Sequence, residues 1–66
     1  MKNDDPILLY YAAPAYSTTK DHKKALSTLE RALKAFDNGP YAKEAEMADF
    51  RKEIEDAIKK EKASIG

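Results

Sequence analysis

Leu26, Leu29, Leu33 and Phe36 recur at offsets of three, seven and ten, the spacing of one face of an α-helix. At about 100° per residue they fall, with Ala25 and Ala32, inside an arc of roughly 120°. The remaining positions of the stretch are Lys, Arg, Glu, Ser and Thr, so residues 18–38 are predicted as an amphipathic helix. A second stripe, Met47, Phe50, Ile54, Ala57, Ile58 and Ile65, spans about 100° of another helix, predicted over 40–62. On that helix Tyr41, Ala45 and Ala48 fall opposite the stripe, which gives its first half two contact faces. The run Ile7-Leu8-Leu9-Tyr10-Tyr11-Ala12-Ala13 alternates with nothing polar and reads as covered on more than one side.

Boundary residues divide these segments. Asp5 is a preferred N-cap and Pro6 suits a first helical position, where a missing N–H costs nothing. Pro14 restricts Ala13 and is expected to end the first segment. Residues 6–13 are therefore either a two-turn helix or an extended arm. Thr18-Thr19-Lys20-Asp21 fits an [ST]-x-x-[DE] helix start. Asp37-Asn38-Gly39-Pro40 stops the helix, with Asn or Gly as a left-handed C-cap and Pro opening the next helix. So short a link implies an antiparallel pair. The expected fold is all-α: a two-helix hairpin, about 18–38 and 40–62, with a short apolar N-terminal helix or arm. One domain covers 1–66, with 1–5 flexible and 63–66 frayed.

Composition narrows how such a fold is held. A chain of 66 residues buries only about 60% of its unfolded surface. It has no Cys and one His, so neither a disulfide nor a Cys/His zinc site can staple it. Self-association into a four-helix arrangement, or a partner chain, would cover both stripes. Twelve basic residues balance twelve acidic ones. Only Arg31 and Arg51 offer the planar fork favoured in phosphate and base recognition. Nucleic acid is thus the second choice of partner. The start, Met1-Lys2-Asn3-Asp4-Asp5, is acidic where a signal peptide would be basic. No run approaches the roughly 20 apolar residues of a membrane span. A cytoplasmic protein without membrane contact is expected.

Candidate chemistry is sparse. His22 lies at the rim of the first stripe, and its neighbour Asp21 points about 100° away, so the two form no preformed dyad. Glu44, Glu46, Asp49, Glu53, Glu55, Asp56 and Glu61 scatter round the second helix without E-x-x-H spacing. Two Gly residues provide no phosphate-cradling loop. No enzyme activity, metal, cofactor or small-molecule substrate is expected. What stands out concerns binding. A hairpin would gather Lys20, Lys23 and Lys24 with Lys59, Lys60 and Lys62 at one pole. Lys at a helix N-terminus opposes the macrodipole, so the first trio lacks a structural reason. Tyr10, Tyr11 and Tyr16, beside Leu8 and Leu9, give apolar area with polar handles, as interfaces do. The candidate partner-binding residues are Leu8, Leu9, Tyr10, Tyr11, Tyr16, Lys20, Lys23, Lys24 and Tyr41. The expected function is a small interaction protein, such as an inhibitor, chaperone-like cofactor or regulatory subunit. It would bind another protein or its own copy. The alternative is a nucleic-acid module using the Lys pole.

Overall fold

The computed structural model describes residues 5–65, and the described chain is helical with no strand. Helix α1 spans Pro6–Thr18, α2 His22–Asn38 and α3 Ala48–Ile65. Two 3-10 turns, Pro40–Lys43 and Ala45–Met47, link α2 to α3. Of the ends expected to be flexible (1–5) or frayed (63–66), residues 1–4 and 66 lie outside the described residues; α3 runs to Ile65.

α1 starts where its cap residues place it. Asp5 Oδ1 accepts the Ile7 N–H at 2.9 Å, with Pro6 in the first turn. The expected stop at Pro14 does not occur, and the segment is a helix rather than an extended arm. A proline inside a helix removes one hydrogen bond and crowds the preceding turn, at about 3 kcal/mol. Against that, Ala13 is buried and Tyr16 and Ser17 are half-buried, so the second half of α1 is held by packing. The helix closes on its own threonines. Thr18 Oγ1 donates to the Pro14 carbonyl at 2.8 Å and Thr19 Oγ1 to the Tyr16 carbonyl at 2.9 Å. Both hydroxyls thus serve the end of α1, which corrects the expected helix start at Thr18. Asp21 is the N-cap of α2, accepting the Lys24 N–H. Between the helices Lys20 holds φ 67°, the left-handed conformation.

α2 lies between its neighbours, with α1 and α3 both packed on it. Its buried residues are Ala25, Thr28, Leu29, Ala32 and Phe36, while Leu26 and Leu33 are half-buried. Relative to the leucine stripe, the buried face has turned by roughly 60° toward the alanines. Small residues there let α1 approach, and Ala13 joins Leu29, Ala32, Phe36, Ile54 and Ile58 in one core. Around the core runs a chain of rings. Tyr10 meets Phe50 edge-on at 5.1 Å, Phe50 lies 6.0 Å from Phe36, and Tyr41 stacks on Phe36 at 6.1 Å. These three contacts tie α1, α3, α2 and the first 3-10 turn together.

The second helix does not begin at residue 40. On a continuous helix Tyr41 and Phe50 would point about 180° apart, and Tyr41 and Met47 about 120° apart. All three pack against the core, and breaking 40–47 into two 3-10 turns is what permits it. The expected small-residue face of Tyr41, Ala45 and Ala48 therefore does not form; Ala45 and Ala48 are exposed. Neither Asn38 nor Gly39 is left-handed as expected; Gly39 is extended at φ −107°. A hydrogen bond from its N–H to the Phe36 carbonyl closes α2. Polar side-chain contacts join α2 to α3 at both ends. His22 Nδ1 lies 2.9 Å from Glu61 Oε1, linking the start of α2 to the end of α3. Arg51 grips Asp37 through Nε at 2.8 Å and Nη2 at 3.0 Å, and reaches Glu55 through Nη1 at 2.6 Å.

Candidate docking surface on the first helix

α1 contains no Asp, Glu, Lys or Arg among its 13 residues, in a chain that is 36% charged. Its inner face is accounted for by packing: Pro6 and Ala13 are buried, and Leu9 and Tyr10 pack against the core. Tyr10 also donates a long hydrogen bond of 3.4 Å to Glu53 Oε1. Burial, and then the nearby Glu53 carboxylate, push the Tyr10 hydroxyl above its ordinary pKa and keep it a donor. Leu9 and Tyr10 are thus mainly structural. Tyr41 belongs with them, since its ring covers Phe36.

The outer face of α1 has no such cover. Leu8 is 66% exposed and Tyr11 68%. Ala12 and Ala15 are exposed beside them. Leu8, Tyr11, Ala12 and Ala15 stand at offsets of zero, three, four and seven, an arc of roughly 100°. The sequence reading named Leu8 and Tyr11 as candidates but not the two alanines exposed beside them. The signal was available in the unbroken absence of charge from 6 to 18, combined with a helical period that Pro14 concealed.

Tyr11 continues this stripe into an open groove of about 490 Å³. Tyr10, Tyr11 and Pro14 form one wall, Leu29 contributes from α2, and Ala57 and Glu61 form the other wall on α3. Its one carboxylate, Glu61, is already engaged by His22. No family model, curated protein or solved structure matches this chain. What the surface does must come from its own chemistry. Among the described residues no group of three or more His, Cys, Asp or Glu is placed to hold a metal ion. No helix is long and apolar enough to cross a membrane.

The lysine trio is dispersed more than the hairpin reading implied. Lys20 sits in the α1–α2 turn, and only Lys23 and Lys24 lie in the first turn of α2. Lys24 Nζ stands 5.1 Å over the Tyr16 ring, a cation–π contact that gives both residues a local role. Glu61 comes to the same end of the molecule through its bond to His22. All three lysines remain exposed.

Proposed function

We propose that this chain is a small, non-enzymatic interaction protein that binds another protein chain through the outer face of α1. One observation carries the reading: a helix free of charge leaves Leu8 and Tyr11 two-thirds exposed in an otherwise highly charged chain. An ordinary solvent-facing helix of a small domain carries charge on that face, as α2 and α3 do. Leu8 and Tyr11 supply the apolar anchor and the aromatic ring with a polar handle that interface centres favour. The alanines let a partner helix come close. A cytoplasmic location is part of this proposal, and a chain without cysteine is compatible with it. Nucleic acid is the weaker partner, because Lys24 is engaged with Tyr16 and a carboxylate shares the basic end.

The test is affinity capture from the native host with the wild-type chain and with Leu8→Glu/Tyr11→Glu. Both side chains are exposed, so the variant should keep its helical circular dichroism and melt. A chain retained by the wild type and lost by the variant bears out the reading. Identical captures by both would overturn it.

A further inference from the structure

We propose that the partner of the α1 face is the same face of a second copy, the two helices packed antiparallel about a two-fold axis between Tyr11 and Ala12. This rests on reading α1 as the docking surface and adds what occupies it. In a two-fold interface every group meets its counterpart from an identical patch, so the patch must complement itself.

The α1 stripe does so in shape. Along the helix it reads large, large, small, small: Leu8, Tyr11, Ala12, Ala15. Reversing one copy about that axis sets Leu8 against Ala15 of the other, and Tyr11 against Ala12. Leu8 then meets a small residue, while Tyr11 and Ala12, flanking the axis, lie beside each other and beside their own counterparts. A parallel pairing would set Leu8 against Leu8 and leave a gap between alanines. The axis also falls near the midpoint of Pro6–Thr18, so the helices overlap over their full length of about 20 Å.

Charge agrees with shape. The stripe itself has none, so no like charges are forced together at the axis, whereas the exposed faces of α2 and α3 carry both signs. At the ends of α1 the charges differ: Asp5 caps its start and Lys20 follows its end. An antiparallel pair brings the acidic start of one copy to the basic end of the other. A parallel pair would crowd lysines together. One helix pair of this length lies below the roughly 1,200–2,000 Å² of standard stable interfaces, so the association is reversible on dilution.

Sedimentation of the full chain from about 1 μM to 1 mM, a range suited to small interfaces, reads the proposal directly. The expected mass rises from 7.4 kDa toward twice that value. Leu8→Glu and Tyr11→Glu should each stay monomeric with unchanged helical content. Because the chain has no cysteine, Ala12→Cys provides a geometric check. It should oxidise to a disulfide-linked dimer, since a bond needs Cα atoms within about 7 Å. Ser27→Cys, exposed on α2, should not. A wild type that is monomeric throughout overturns the second copy as occupant. So does a dimer that survives both glutamate variants and leaves Ala12→Cys unlinked. If the monomeric wild type still captures a different chain through Leu8 and Tyr11, the docking surface stands and only its occupant changes. If it captures none, both readings fall.

Discussion

Leu29 and Leu33 are one turn apart on α2, yet only Leu29 is closed off, at 2% exposure. Leu33 sits at the α2–α3 edge beside Ile58 and Lys62. Leu29→Ala should therefore cost about 2–5 kcal/mol, the range for emptying a buried leucine site. Leu33→Ala should cost clearly less, and paired thermal melts check the order. The two backbone positions that matter at the turns carry opposite expectations. Lys20 holds φ 67°, where a side chain is strained and glycine is not. Lys20→Gly should stabilise the fold by about 1 kcal/mol in chemical denaturation. Gly39 has an ordinary φ, but a Cβ there would stand 2.9 Å from the Ala35 carbonyl oxygen. Backbone would have to move, so Gly39→Ala should destabilise by about 1–3 kcal/mol. The glycine is needed for space rather than for handedness.

At the scale of elements, α1 shows a propensity rule giving way to packing. Pro14 ends no helix, because the turn beyond it is seated on α2 and closed by Thr18 and Thr19. The proline still lacks its N–H, and Pro14→Ala restores that donor on an exposed position. The variant should raise the melting temperature; a fall would mean that the proline ring itself is required for α1 to lie on α2. A polar clasp joins the end of α2 to the start of α3. Hydrogen bonds from Arg51 hold the Asp37 carboxyl below its ordinary value of 3.8, and slight burial opposes them. A lowered folded-state pKa contributes stability above the unfolded value. That contribution is lost as pH falls through the folded value. Wild type should thus lose stability below about pH 4 by an increment that Asp37→Asn lacks. With the side chains 38% and 44% exposed, the effect is small and should shrink as salt is raised. Thermal melts from pH 2 to 7 at two salt concentrations measure it.

For the whole molecule, the shape is that of one central helix flanked by two others. Remove α1 and α2 loses the cover on its Ala25, Thr28 and Ala32 side, where Ala13 joins the core. Two helices of this length bury too little to hold themselves. A chain lacking residues 1–19 should lose its cooperative melt while keeping partial helicity, read by circular dichroism. A retained sharp transition would show that α2 and α3 are self-sufficient and that α1 serves docking alone. The same arithmetic of size gives an exposed apolar helix its significance. A domain this small has little apolar area to spare, and leaving Leu8 and Tyr11 in water withholds it from the core.

The all-α class, the amphipathic stripe of α2, the Asp5-Pro6 start and the stop after Asn38 were legible in residue order. Each depends on neighbours within a turn or two, through a cap, a missing N–H or a period of 3.6. What only the tertiary structure decided is everything that depends on which neighbour arrives. The continuation of α1 past Pro14 required a surface for Ala13 and Tyr16 to rest on. The turning of α2 from its leucines toward its alanines required α1 at close range. The breaking of 40–47 required Tyr41, Met47 and Phe50 to reach one core from directions that a single helix cannot offer. The docking stripe belongs to both. Its lack of charge is written in the sequence, but the two sides of α1 are almost equally apolar, and only packing on α2 chose which of them faces water.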